Sequence, residues 1–244
     1  MKETRINKYL SEVGYCSRRA ADKLIDEGRV TINGKVPEMG TKITENDEVH
    51  VDGKLISESN EKPVYIAFNK PKGIVCTTDT KRERHNIIDF INYPTRIFPI
   101  GRLDRPSEGL IFLTNDGDIV NKILRARNNH EKEYIVTVNK DITEDFIKRL
   151  GNGVPVLNTY TKKCFVEQIS EKQFKIILTQ GLNRQIRRMC EHFDYRVVKL
   201  KRIRIMNVEL DISTGKWRDL TSDELKEINR LVEDSAKTHD AQND

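Results

Sequence analysis

The chain is poor in every feature that would tie it to a metal, a disulfide scaffold or a membrane. Its four cysteines, Cys16, Cys76, Cys164 and Cys190, are scattered, with no Cys-x-x-Cys pair. A disulfide framework or a zinc ribbon needs closer grouping, so reduced thiols are the expectation. The five histidines (His50, His85, His130, His192 and His239) form no ligand cluster, and no metal is expected. Nucleotide-binding glycine motifs are missing too. No apolar run approaches the roughly 20 residues of a membrane-spanning helix. The opening Met1-Lys2-Glu3-Thr4-Arg5 lacks the apolar core of a secretory signal. The expected compartment is the cytoplasm, with no membrane partner. There is no internal repeat, and no apolar heptad or exposed strand edge is evident, so a monomer is expected.

What the chain does have is charge, and its distribution matters more than its total. Of 244 residues 33% are charged and 36% hydrophobic, with a net charge of only +5. Between Arg184 and Arg204 stand eight basic residues: Arg184, Arg187, Arg188, Arg196, Lys199, Lys201, Arg202 and Arg204. Only Glu191 and Asp194 oppose them, a local net of +6. Such a patch is the electrostatic footprint of a phosphate-bearing partner, although a solvated charged surface has the same composition. The length allows a small domain beside a larger one.

The first segment reads as two short helices and then strands. Ile6, Leu10 and Val13 recur at helical spacing, with a stop at Gly14. Ser17 is placed to cap a second helix whose Ala21, Leu24 and Ile25 form an apolar stripe, ending at Gly28. Val30-Thr31-Ile32 and Val49-His50-Val51 are strand-like, and Asn33-Gly34 signals a tight type I′ hairpin. Ser57 to Lys62 has nothing to bury and reads as a linker, followed by Pro63. The remainder interleaves strands and helices. Val64 to Phe68, Leu110 to Leu113, Tyr134 to Val138 and Phe174 to Leu178 read as strands, and Asp118 opens a helix through Leu124. Asn183 is placed to cap a helix with Ile186, Met189, Cys190 and Phe193 on one face. From Asp234 the tail loses its apolar residues apart from alanines.

On that last helix a rotation of about 100° per residue separates three arginines. Arg184 and Arg188 lie opposite the apolar stripe. Arg187 lies at its border, and a partly buried guanidinium needs a carboxylate partner. Asp104 is a candidate, since it follows the extended Phe98-Pro99-Ile100-Gly101 and precedes Pro106. Its local sequence equally describes a turn aspartate bonded to its own backbone.

Gly101-Arg102-Leu103-Asp104-Arg105-Pro106-Ser107-Glu108-Gly109-Leu110, running on to Gly117, resembles the catalytic-loop motif of the RsuA/RluB/RluE/RluF family of pseudouridine synthases. Three more segments agree with that family in chain order: Asn69-Lys70-Pro71-Lys72-Gly73, Glu131-Lys132-Glu133-Tyr134, and Gly181-Leu182-Asn183-Arg184-Gln185-Ile186-Arg187-Arg188-Met189. Arg5 to Val36, with Cys16-Ser17-Arg18-Arg19, resembles the S4-type RNA-binding module that commonly precedes the catalytic domain. Within the family the RluF branch is the closest likeness, carried by His130 to Tyr134, Arg202 to Val208 and Trp217 to Thr221. A long basic C-terminal extension found in some relatives has no counterpart in the short, mixed ending Asp240 to Asp244.

The resemblance implies an α+β protein. A small S4-type αL RNA-binding domain would occupy residues 1–56, with a linker at 57–62. The catalytic domain (63–233) would be built on a mixed, mainly antiparallel β-sheet with flanking helices, before a disordered tail (234–244). It implies an isomerase, needing no cofactor, that turns a specific uridine of 23S ribosomal RNA into pseudouridine, with the anticodon of tyrosine tRNA as a further substrate. A non-catalytic RNA-binding factor of ribosome assembly is the alternative. Asp104 is implied as the nucleophile, Arg187 as the partner that keeps it ionised, and Tyr134 as the group stacking on the target base. Leu182 would face the base from the other side, with Arg102, Arg184, Arg188 and Lys70 binding substrate. In the N-terminal module, Arg5, Lys8, Arg18, Arg19 and Lys23 are the expected phosphate contacts. Residues 1–56 hold ten basic and ten acidic residues, so net charge there lends no support.

Overall fold

A computed structural model describes residues 3–57, 62–124 and 129–233. The chain forms two compact units, Met1–Pro63 and Val64–Asp244. Most of the segment read as a linker, and all of the tail 234–244, lie outside the described residues.

The first unit runs β1 (Thr4–Arg5), α1 (Ile6–Glu12), α2 (Arg18–Asp26), β2 (Val30–Ile32), β3 (Lys42–Ile43), β4 (Val49–Val51) and β5 (Lys54–Ile56). Ile6, Leu10, Ala21 and Ile25 present one apolar face from the two helices onto Val30, Val49 and Val51. The Ser17 hydroxyl accepts from the Ala20 amide and caps α2. Asn33 and Gly34 form their tight turn, both with positive φ, and Ile32 and Lys35 exchange backbone bonds across it. The hairpin stops there, because Pro37 follows and has no N–H to extend a ladder. The partner of β2 is instead β4, in a three-stranded antiparallel sheet ordered β2-β4-β5.

The second unit continues with β6 (Tyr65–Lys70), α3 (Ile87–Ile91), β7 (Phe98–Ile100), β8 (Glu108–Thr114), α4 (Gly117–Leu124), β9 (Lys132–Val138) and α5 (Glu144–Gly151). Then come β10 (Pro155–Val156), β11 (Thr159–Tyr160), β12 (Phe165–Ser170), β13 (Gln173–Leu178), α6 (Gln185–Glu191), β14 (Val197–Ile205), β15 (Val208–Glu209), β16 (Trp217–Asp219) and α7 (Ser222–Val232). The main sheet is ordered β12-β13-β9-β14-β8-β6-β16, with β7 on β8 and β15 on β14. It is the mixed, mainly antiparallel sheet expected, and β14 with β8 is its parallel pair.

Leu110-Ile111-Phe112-Leu113 is apolar throughout because β8 is buried on both faces. Ile111 and Leu113 join Ile66 and Phe68 in a core covered by α3, α5 and α6. Leu110 and Phe112 point the other way, with Ala67, toward α4 and α7. Period-two alternation divides one apolar run between two cores.

The parallel pair decides where the chemistry can sit. Since β8 and β14 run the same way, the loop before one and the helix before the other meet at the same end of the sheet. Gly109 lies opposite Arg202 in this pairing. Its φ is +108°, and a Cβ there would stand 2.2 Å from the Arg202 carbonyl oxygen. A glycine is required at that point of closest approach.

Candidate active site

Asp104 occupies the loop between β7 and β8, in a turn closed by a 3.0 Å bond from the Ser107 amide to the Asp104 carbonyl. The loop is clamped onto the turn after β6. The Gly73 amide donates to the Arg105 carbonyl (2.8 Å), Arg105 Nε returns a bond to the Gly73 carbonyl (3.2 Å), and the Leu103 amide donates to Cys76 Sγ (3.4 Å). Lys70 fastens that turn from beneath, its ammonium donating to the carbonyls of Pro71 and Ile74 at 2.9 and 2.8 Å. Expected among the substrate-binding residues, Lys70 is 0% exposed and offers RNA no surface. Burial lowers its pKa from the ordinary lysine value, against the charges of Cys76, Asp104 and Glu108. Its work is to hold the turn on which the Asp104 loop rests.

Helix α6 supplies the opposing charge. Arg187 is 7% exposed, buried at the edge of the Ile186/Met189/Cys190 stripe where its helical position puts it. Its Nη1 donates to the Val197 carbonyl (3.2 Å) at the start of β14, and its Nη2 to Ser107 Oγ (3.1 Å) in the aspartate's own loop. Its Nε is buried without a hydrogen-bond partner and lies 3.7 Å from Asp104 Oδ2. Burial, reinforced by Arg184, lowers the guanidinium's pKa, and Asp104 opposes that. Arg184 Nη1 approaches the same carboxylate oxygen at 3.9 Å. The Asp104 side chain keeps 33% of its exposure, so it is aimed by two cations while remaining open to a ligand.

The start of α6 differs from expectation. Arg184, not Asn183, holds the N-cap position, with left-handed backbone (φ 50°, ψ 35°) and no side-chain cap. Asn183 instead accepts from Arg188 through its carbonyl and side-chain oxygen, at 3.0 and 3.2 Å. Gln185 reaches back to accept from the Leu182 amide (3.0 Å). A non-glycine residue in the left-handed region is costly, and here it sits beside Asp104.

These groups line one cleft of about 720 Å³. Tyr134, on β9 and 9% exposed, shares its wall with Leu182, half-buried, and Leu103; Arg102 and Arg184 are exposed among its lining residues. Lys132 and Arg202 also line it, and neither was singled out in the sequence. Lys132 stood inside a quoted motif, and Arg202 was counted as part of a surface patch.

That patch is a correction. Arg187 and Arg202 are buried. Arg204 is tied to Glu133 and Glu131, and Lys199 to Glu108 at 3.1 Å. The run spans a helix and the alternating faces of a strand, so its charges do not share one surface. In the first unit Arg5, Arg18, Arg19 and Lys23 are exposed and Lys8 is half-buried. Lys8 and Lys23 pair with Glu12 and Glu27, one turn on, at 3.0 and 3.5 Å.

An aspartate held between arginines, beside a tyrosine wall on a mixed sheet, fits the site of a pseudouridine synthase. The chain belongs to the RNA pseudouridylate synthase family, whose description matches residues 64–192, and an S4 domain matches residues 4–49. It is 58% identical over 234 residues to the dual-specificity RNA pseudouridine synthase RluF of Escherichia coli (strain K12), covering 95% of this chain and 80% of that protein. It is 36% identical to ribosomal large subunit pseudouridine synthase B of Bacillus subtilis (strain 168), covering 94% and 97%. A crystal structure of a pseudouridylate synthase superposes with a TM-score of 0.67 at 29% identity, covering 93% and 99%. The protein is an isomerase acting on RNA uridine, and the alternative of a non-catalytic assembly factor is set aside. Among the described residues no helix is long and apolar enough to cross a membrane.

Proposed function

We propose that the chain converts a uridine of large-subunit (23S) ribosomal RNA to pseudouridine, with the anticodon of tyrosine tRNA as a second substrate. The observation that carries the reading is the Asp104 carboxylate, partly open in the cleft, within 3.7 and 3.9 Å of Arg187 and Arg184. That one relative is a dual-specificity RNA synthase and the other a large-subunit synthase supports the choice of RNA.

Asp104 acts as the nucleophile toward the ribose, oriented by Arg187 at 3.7 Å. Tyr134 stacks on the base and Leu182 closes its other side. The target must leave its stack, at a cost of a few kcal/mol that is least in a loop or bulge. Arg102, Arg184 and Arg188 offset that cost by gripping the flanking backbone. In the N-terminal module Arg5, Lys8, Arg18, Arg19 and Lys23 do the same. Ribosomal or transfer RNA substrates imply a cytoplasmic location. The test is incubation of the purified chain, without cofactor, with 23S RNA fragments and tyrosine tRNA transcripts, followed by pseudouridine mapping. Absence of pseudouridine from both RNAs, or release of free uracil, would overturn the reading.

A further inference from the structure

Two cations in the cleft have no part in the reaction so far. Lys132 and Tyr134 are two residues apart on β9 and share a face, and Arg202 lies opposite Tyr134 on β14. Arg202 is 3% exposed. Its Nε donates to the Leu110 carbonyl at 2.6 Å, while Nη2 is buried without a partner. Its guanidinium carbon stands 5.9 Å from the centre of the Tyr134 ring. The Lys132 ammonium donates only weakly, to the His130 carbonyl at 3.3 Å. Strand pairing sets apolar Leu178 and Ile205 on either side of Lys132. The charged group beside it is Arg202 on β14; His130, which precedes it, is titratable, and its pKa is lowered by burial and by Lys132. No carboxylate pairs with Lys132 or Arg202 among the described residues. Burial, with Arg202 beside it, depresses the Lys132 pKa to about 8. Two like charges in a poorly solvated wall disfavour the empty site, and an anion arriving between them would relieve the cost.

We propose that Lys132 and Arg202 take up the negative charge of the uracil ring while it is detached from the ribose, by contacting its carbonyl oxygens. This rests on the Asp104–Tyr134 cleft being the uracil site. The Asp104 carboxylate bonds to C1′ as the C1′–N1 bond breaks, and the electron pair of that bond leaves with the base and spreads over N1, O2 and O4. The base turns, C5 bonds to C1′ as the Asp104–C1′ bond breaks and frees the carboxylate, the hydrogen on C5 leaves as a proton, and N1 ends protonated. No oxidant or donor is consumed. The negative charge exists only between the two C1′ bonds, so the cations favour that stage over bound uridine.

The test uses the full chain, single-turnover pseudouridine formation and a separate measurement of RNA Kd. Lys132→Met lowers the rate about 100-fold and shifts Kd by no more than about threefold. Arg202→Lys gives a loss of the same kind. For the unaltered chain kcat/KM falls as pH rises through about 8, and for Lys132→Arg, whose charge persists, it recovers part of the rate and stays flat there. A matching loss of rate and RNA affinity would make the pair a phosphate contact and overturn the proposal, as would an unchanged rate in Lys132→Met. Should a melting curve show Lys132→Met unfolded, the pH profile of Lys132→Arg decides alone, a persisting decline refuting the idea. Retained activity in Asp104→Asn would sink the cleft reading itself, and is distinguishable from these outcomes.

Discussion

Arg204 and Arg187 are both set against carboxylates in the catalytic unit, and they are used in opposite ways. Arg204 is saturated: Nε meets Glu133 at 2.8 Å, Nη2 meets Glu131 at 2.9 Å, and Nη1 donates to the Met206 carbonyl at 2.7 Å. Burial works against its charge, yet the bonds it donates to Glu133 and Glu131 outweigh burial and raise its pKa. Arg187 spends two nitrogens on the Val197 carbonyl and Ser107, keeps Nε unbonded, and stands 3.7 Å from Asp104. There burial prevails and the pKa is lowered. A saturated pair is a staple between strands. An unsaturated one leaves the carboxylate able to accept another partner, as a nucleophile must.

Removing the carboxylate of the unsaturated pair should have the largest effect. Asp104→Asn keeps the size and the turn of the side chain, and turnover should fall about 10⁴-fold, with RNA affinity and melting temperature near those of the unaltered chain. Mapping pseudouridine in RNA from complemented deletion cells checks this, and full retention of the modification would remove Asp104 from the chemistry. Next comes Arg187→Ala, which should cost about 10²- to 10³-fold in turnover. Its effect on RNA binding should be much smaller, because the guanidinium is enclosed. Equal losses of rate and affinity would make Arg187 a backbone contact.

The saturated pair should respond in the other coordinate. Arg204→Ala should lower unfolding free energy by about 1–3 kcal/mol, less than breaking a fully buried pair costs because Glu131 is half exposed. Turnover per folded molecule should not change. Urea titration alongside a single-turnover assay separates the two, and a loss of rate without a loss of stability would erase the contrast with Arg187.

Legibility in the sequence followed the same division. Arg187 could be placed at the edge of an apolar stripe because a helix turns about 100° per residue whatever surrounds it. Ser17 could be placed as a cap from the residues that follow it. The unbroken apolar run Leu110 to Leu113 was legible as a buried strand, but the helices that lie above and below it were not. Asp104 by itself was a turn residue; its partner lies some eighty positions away, brought near by the parallel pairing of β8 and β14. Lys70 and Arg202 were misplaced for one reason. A basic residue reads as surface until the carbonyls that enclose it, Pro71 and Ile74 for one and Leu110 for the other, come from the folded chain. Left-handed Arg184 gave no local signal at all, because glycine is the residue that usually announces that conformation.

A second staple allows the smallest and sharpest test of what saturation does. Both Nη atoms of Arg218 donate to Glu224 at 2.8 Å, and Asp211 accepts from Nε and Nη2 at 3.0 Å. Glu224 also completes the capping box of α7 with Thr221. Bonds from Arg218, opposed by burial and helped by the Thr221 amide, hold the Glu224 pKa below its ordinary 4.5. A carboxylate depressed on folding stabilises above its unfolded pKa, and that contribution is lost as pH falls through the folded value. Glu224→Gln keeps an acceptor for the cap and removes the charge, so it should cost about 1 kcal/mol at pH 7. The difference from the unaltered chain should shrink below about pH 4.5 in urea midpoints taken across the acid range. A difference that persists into strong acid would mean that the geometry of the bonds, not the charge, does the stapling. The rate of pseudouridine formation should be untouched at neutral pH, because this pair, unlike Asp104 and Arg187, keeps nothing in reserve for a substrate.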